Sequence, residues 1–284
     1  KVNEAALRIV RTILAFDRGH KEYDMSVVGC EEHIAIAKKA AEEGITLIKN
    51  EGVLPLKKDK VKKVAMIGKL ANKENIGDHG SSWVHPPYVV TPVQGMERIN
   101  PDSEVIFNDG SDLESAKKLA READAVVFVV GYNHDDEGEF VSADQAANYT
   151  GAMGGDRKTS LGLHKDEIKL IQEVGPENPK STVVLIGGNM IMMTEWYDCV
   201  NAVMMAYYPG MEGGTAMAEI LYGDVNPSGK LPYVVPYREE DLPYVDWEAT
   251  DQYYEYYHGY TRLEKHGIRP LVPYGYGLSY TTFD

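Results

Sequence analysis

An α/β fold, with a mostly parallel sheet and helices on both faces in a three-layer α/β/α sandwich, is predicted by three features of this 284-residue chain. Short apolar runs alternate with helical patterns between residues 61 and 222, the habit of βα units joined by crossover connections. One run, Ala125-Val126-Val127-Phe128-Val129-Val130, shows no alternation, as expected of a strand covered on both faces. That run stops at Gly131 and empties into Tyr132-Asn133-His134-Asp135-Asp136-Glu137-Gly138-Glu139, and ligands of such sheets sit just past the carboxyl ends of strands.

The elements follow in order. Residues 3–16 place Ala6, Ile9, Val10, Ile13 and Leu14 at helical spacing, with Arg8, Arg11 and Arg18 off the stripe, so this helix needs a partner surface. A second helix is expected near 29–43, where Ile34, Ala37, Ala41 and Gly44 invite close packing. The apolar run at 44–56 is interrupted by Asn50-Glu51-Gly52 and Pro55, which should stop any ladder. Strands are then expected at 64–67, 105–107, 125–130, 182–186 and 202–206, and helices at 112–123, 164–174 and 211–222. From Asn226 onward the texture changes to Tyr, Pro and Gly with little periodicity, predicting long ordered loops that wrap the domain.

Composition narrows the partners. The net charge of −15 is spread along the whole length, which argues against nucleic acid or an anionic membrane, since both need clustered Lys and Arg. A neutral or cationic small ligand is expected. Cys30 and Cys199 form no CxxC and cannot build a disulfide framework. No stretch has the apolar length to cross a bilayer. The chain begins at Lys1 directly in an amphipathic pattern, as a fragment or a processed product would.

Several catalytic signatures fail. After the first parallel strand there is only Gly68, without GxGxxG. The stretch 223–230 imitates a P-loop but carries one residue too many, Pro227 inside it, and Leu231 where Ser or Thr should hold magnesium. HExxH and GxSxG are missing, and the histidines show no paired metal spacing, so no metal and no cofactor are implied. What remains is the carboxylate cluster. Four acidic side chains within five positions, Asp135, Asp136, Glu137 and Glu139, repel one another, and at least one should be pushed toward a raised pKa suited to proton donation.

Further stretches stand in a telling order. The first is the stretch 44–56. Then come Gly77-Asp78-His79-Gly80-Ser81-Ser82-Trp83-Val84-His85-Pro86-Pro87 and Gly155-Asp156-Arg157. Tyr208-Pro209-Gly210-Met211-Glu212-Gly213-Gly214 and Gly223-Asp224-Val225-Asn226-Pro227-Ser228-Gly229-Lys230-Leu231-Pro232 follow, and Pro273-Tyr274-Gly275-Tyr276-Gly277-Leu278-Ser279-Tyr280-Thr281 closes the series. Together they resemble the second, α/β sandwich domain of glycoside hydrolase family 3, the β-glucosidase family, over nearly the whole chain.

The resemblance implies a retaining hydrolase of terminal β-D-glycosyl residues whose nucleophile lies in a preceding (β/α)₈ barrel, present in cis or as a separate chain. Residues 1–28 are then the closing helix and linker of that barrel, and 29–284 the sandwich domain. In the family the acid/base is often a Glu in a Gly-Glu context before Gly-Asp-Arg, which points here to Glu139 after Gly138. Phe140 replaces the family's second Gly and residues 141–154 lengthen the loop, so Glu137 is the rival. Chemistry independently asks for a carboxyl, because glycoside cleavage delivers a proton to the leaving oxygen while a second carboxylate attacks the anomeric carbon. Ser81, Ser82, Trp83 and His85 are candidates to line the sugar site by hydrogen bonds or stacking, beside turn chemistry. Asp156 and Arg157 either bind there, hold the loop by an ion pair, or form a surface pair. The glycines at 210–214 suit close helix–sheet packing, and residues 226–229 a turn. A β-glycoside or oligosaccharide and a possible second copy of the chain complete the expected partners. The alternative reading is a non-catalytic sugar-binding or structural module.

Overall fold

The computed structural model describes residues 1–283 apart from 23, 78, 139–156, 158, 159, 247 and 248. The chain divides into two compact units, Lys1–Ile34 and Ala35–Asp284. The first consists of α1 (Val2–Arg18), a single 3₁₀ turn at Met25–Val27 and the start of α2 (Glu31–Gly44). The apolar stripe foreseen for α1 forms, yet no residue of that helix is buried, and Leu7, Ile9 and Ile13 are each at least 60 % exposed. In α2 only Ala41 is buried, so the close packing foreseen from its small residues is confined to that position.

The second unit is built on a six-stranded sheet of β1 (Thr46–Asn50), β2 (Lys63–Ile67), β3 (Glu104–Asn108), β4 (Ala125–Gly131), β5 (Ser181–Ile186) and β6 (Ala202–Tyr207). The spatial order is β1-β6-β5-β4-β2-β3, parallel throughout except for β1, which runs antiparallel to β6 with Thr46 opposite Met205. Sequence periodicity expects five strands, and β1 is the sixth. The Asn-Glu-Gly turn begins only after it. Asn50 closes that turn itself, accepting from the amides of Val53 and Leu54 and donating to Leu54 O at 2.8 Å. Pro55 falls beyond the strand, on an edge where it costs no ladder bond.

The pleat of β4 explains why its sequence does not alternate. All seven residues are buried, but Val127 and Val129 enter one core while Val126, Phe128 and Val130 enter the other, because successive side chains point to opposite faces. The first core is roofed by α3 (Pro92–Ile99) and α6 (Gly213–Tyr222), through Val93, Met96, Met217, Ile220 and Leu221. The second is roofed by α4 (Leu113–Glu122) and α5 (Lys165–Val174), through Ala116, Ala120, Leu170 and Ile171. This is the three-layer sandwich that the sequence predicts. Truncating Phe128, fully buried at the centre, would cost about 3–5 kcal/mol.

Helix α3 is too short for its periodicity to stand out in the sequence. Its start is nonetheless written there: Thr91 and Gln94 form a reciprocal capping box and Pro92 opens the first turn. A Cβ on Gly95 would lie 2.0 Å from Gly214 O, so the helices touch backbone to backbone. Gly214 thus serves contact with α3 and Val90–Thr91, rather than the helix–sheet packing expected of the 210–214 glycines. The last segment is mainly ordered loop as expected, carrying α7 (Gly259–His266) and bridges that pair Val235 with Val272 and Leu47 with Leu278.

Candidate active site

The parallel strands β2, β4, β5 and β6 all end on one rim of the sheet, and the acidic stretch after β4 lies there. Gly131, at φ +127°, makes the exit possible, because a Cβ would sit 2.0 Å from Ile186 O of β5. Tyr132 then turns inward, donating its hydroxyl to Gly162 O. Residues 133–137 fold around Asn133, which accepts from the amides of Asp136 and Glu137 at 2.9 Å through its carbonyl and from Asp135 N through its side chain. Asn75, buried, donates to Tyr132 O at 2.9 Å and ties the segment after β2 to this loop.

Glu137 is the best-held carboxylate of the rim. Its Oε1 lies 3.2 Å from Arg157 Nε, with the two side chains only 15 % and 8 % exposed. Its Oε2 accepts from Gly188 N at 2.7 Å and from the Tyr208 hydroxyl at 2.8 Å. Arg157 also donates to Leu161 O and Met190 O, and its guanidinium lies 4.5 Å over the Tyr132 ring. Burial, reinforced by the Glu137 charge, drives the Tyr208 phenol far above its ordinary range, so it stays a donor. Tyr208 reaches this position because Tyr207, the residue before it, adopts φ +56° where the β5–β6 register shifts. A bulky residue there is strained, and here the strain accompanies a site contact.

A second group occupies the rim between β2 and β4, where the strand order reverses. His164 Nε2 stands 3.0 Å from Asp136 Oδ1, and that contact raises the imidazole above its usual value. Burial pushes the Asp136 carboxyl up, but the His164 hydrogen bond and the Asn133 amide outweigh it and leave it lowered. Glu167, only 6 % exposed, accepts from Gly131 N at 3.2 Å through Oε1, while Oε2 has no hydrogen-bond partner among the described residues. Burial lifts its carboxyl to about 7. Repulsion within 135–139 is expected to raise one carboxyl there, and Glu139 of that cluster lies outside the described residues; a raised carboxyl of this rim is Glu167, at the first turn of α5. A cavity of about 330 Å³, bounded by Lys69, Lys73, Asn133, Asp136, His164 and Glu167, opens beside it.

The 77–87 segment joins the same rim through rings. His134 stacks on His79 at 3.5 Å between centroids, His79 on Trp83 at 4.5 Å, and Trp83 meets His85 at 4.6 Å. Trp83 and His85 are exposed, as are Ser81 and Ser82, so the stack offers a wet aromatic face a few residues from the acidic turn. The structure therefore brings Trp83, His85, Glu137 and Arg157 to one rim. Glu139 and Asp156 lie outside the described residues. Arg157 is enclosed, which excludes the surface-pair reading. Tyr208, His164 and Glu167 were missed by sequence reasoning. Tyr208 stood in a stretch read for its glycines, and Glu167 has the pattern of an ordinary acidic first helical turn. Among the described residues no group of three His, Cys, Asp or Glu side chains could hold a metal ion, and no helix is long and apolar enough to cross a membrane.

Known proteins place this architecture. Thermostable beta-glucosidase B of Acetivibrio thermocellus is 33 % identical over 303 residues, covering all of this chain and 37 % of that protein. A beta-xylosidase of Formosa agariphila is 31 % identical, covering 94 % of the chain and 37 % of its own length. The crystal structure of beta-D-glucoside glucohydrolase from Trichoderma reesei superposes with a TM-score of 0.78 at 25 % identity, over 89 % of this chain and 38 % of that one. The chain thus spans less than two fifths of each of these relatives. The family model described as glycosyl hydrolase family 3 C-terminal domain matches residues 45–280, and the chain belongs to that family.

Proposed function

We propose that this chain is the sandwich domain of a β-glucosidase-type glycoside hydrolase, acting on terminal non-reducing β-D-glycosyl residues with retention, and that Glu139 is its acid/base. The observation that carries the assignment is the engagement of Glu137. Both its oxygens are held in the fold, Oε1 by Arg157 and Oε2 by Gly188 and Tyr208, which supports a structural role for the rival, while Glu139 follows two residues later. In the first step Glu139 gives its proton to the departing oxygen as a nucleophilic carboxylate attacks the anomeric carbon. In the second it takes a proton from the water that hydrolyses the glycosyl-enzyme.

The nucleophile is assigned to a barrel preceding this domain. The wholly exposed apolar stripe of α1 supports reading residues 1–28 as the barrel's closing helix and linker, and 29–284 as the sandwich. Ser81, Ser82, Trp83 and His85 are proposed to line the sugar site. Arg157 acts through Glu137, holding the start of the acid/base stretch, and Asp156 is its sequence neighbour in the Gly-Asp-Arg motif.

The test is kinetic and uses the full enzyme on aryl β-glucosides and β-xylosides. Glu139→Ala should lower turnover strongly on poor leaving groups and much less on good ones, with azide restoring rate by attacking the glycosyl-enzyme without a base. If Glu137→Ala shows this pattern and Glu139→Ala keeps near-normal kinetics, the assignment fails.

A further inference from the structure

Beside the Glu137–Arg157 centre lies a larger cavity, about 590 Å³, between the segment following β5, the turn at 232–234 and the tyrosine-rich stretch leading into α7. It begins where the centre ends: Gly188 N binds Glu137, and the next two residues, Asn189 and Met190, line the cavity. Met190 also accepts from Arg157 at 2.7 Å.

Its walls are unusual for this protein. Asp, Glu, Lys and Arg make up 26 % of the chain and the net charge is −15, yet none of the twelve lining residues is one of these. Four are tyrosines, Tyr233, Tyr256, Tyr260 and Tyr274. Tyr260 and Tyr274 stack at 4.6 Å with planes 20° apart, so each covers one face of the other and keeps an outer face, and they remain 42 % and 53 % exposed. Tyr256 stands edge-on to Tyr257 and is 86 % exposed. Asn189, His258 and Thr261 add hydrogen-bonding groups around the rings.

We propose that this groove is a second carbohydrate-binding site, which takes a neutral β-linked oligosaccharide alongside the candidate active centre. An anionic ligand would meet no Lys or Arg in the walls and a cationic one no carboxylate. A sugar ring presents an apolar CH face bordered by hydroxyls, which matches flat phenols with polar tips and a few amide, imidazole and hydroxyl partners. The choice of a sugar among neutral polar ligands rests on the glycosidase reading above. Because the groove continues the backbone of residues 187–190, a chain held there runs toward the rim that carries Glu137.

The experiment is a titration of this 284-residue chain with cellohexaose, followed by calorimetry and by NMR of the tyrosine and histidine signals. Saturable binding is expected, weakened roughly tenfold by Tyr260→Ala or Tyr274→Ala and by Tyr256→Ala, whose exposure makes it harmless to the fold. Phe283→Ala, at an exposed ring outside the groove, should leave the affinity nearly unchanged. An oligogalacturonate of equal length and a neutral proline-rich peptide should bind at least tenfold more weakly. Absence of saturable binding, binding lost with Trp83→Ala but kept in the tyrosine variants, or equal binding of the peptide would each overturn the proposal. Turnover by the full enzyme is read separately. Turnover without groove binding defeats this inference alone, whereas tyrosine-dependent binding with no turnover defeats only the glycosidase reading.

Discussion

Two carboxylates on the same strand-end rim, Glu137 after β4 and Glu167 in α5, are both largely enclosed but are treated in opposite ways. Glu137 is enclosed together with a guanidinium, a phenol and a backbone amide. Among the described residues Glu167 receives one hydrogen bond, from the Gly131 amide, and its second oxygen has no hydrogen-bond partner. Burial disfavours a charge, and only compensation by donors and an opposite charge offsets that cost. The first carboxylate therefore works as a structural anchor. The second is buried with little compensation, which lifts its carboxyl to about 7. The cation, more than the depth of burial, separates these two roles.

The largest expected effect comes from breaking the first arrangement. Arg157→Met would leave Glu137 enclosed without its cation and should cost about 3 kcal/mol in urea unfolding. Adding Glu137→Gln should recover more than half of it, since the stranded charge is then gone. A single Arg157→Met variant within about 0.5 kcal/mol of the parent would mean that the pair contributes nothing and that the cation does not distinguish Glu137 from Glu167.

A smaller effect, of opposite sign, is expected at Glu167. Its folded pKa is raised from its ordinary value of 4.5 to about 7, so the folded state binds the proton more tightly than the unfolded chain. Stability is therefore favoured at low pH and falls as pH rises through that window. His164, also raised, acts in the same direction: its share is complete below its ordinary value and is lost as pH passes the folded one. Glu167→Gln should accordingly raise stability by on the order of 2 kcal/mol near pH 8 and change little near pH 4. Thermal melts at the two pH values decide it, and an equal change at both would show that the effect is packing and not charge.

The smallest effect tests the link between the groups. Asp136→Asn removes the partner of His164, so the imidazole titration followed by NMR should move down. Stability near pH 6 should change by less than about 1 kcal/mol, because the pair is partly open to solvent. An unmoved His164 titration would leave the Asp136 contact without electrostatic weight.

Much of the fold was legible because local pattern and tertiary role coincide. Unalternating runs such as 125–130 need two covering layers, and the helices between them supply those layers. The strand β1 was hidden for a different reason. Its partner β6 lies more than 150 residues away, and an edge strand followed by Asn-Glu-Gly and Pro looks locally like a loop. In the site, Glu137, Arg157, Trp83 and His85 were each singled out, but their pairings were not. Arg157 was matched to Asp156 or to the surface, because neighbours in sequence are the only partners a sequence displays.

By itself, then, the chain's sequence determined the α/β sandwich, its parallel strands, the family and the rim on which chemistry would be sought. These follow from periodicity, turn residues and ordered motifs, all of them local. The tertiary structure alone decided which carboxylate is enclosed with a guanidinium and which is buried with little compensation and lifted to about 7. Solvation and Coulomb energies depend on distances through space, here from Glu137 to Tyr208 and Gly188, and from Glu167 to Gly131. Those distances exist only once β4, β5 and β6 lie side by side.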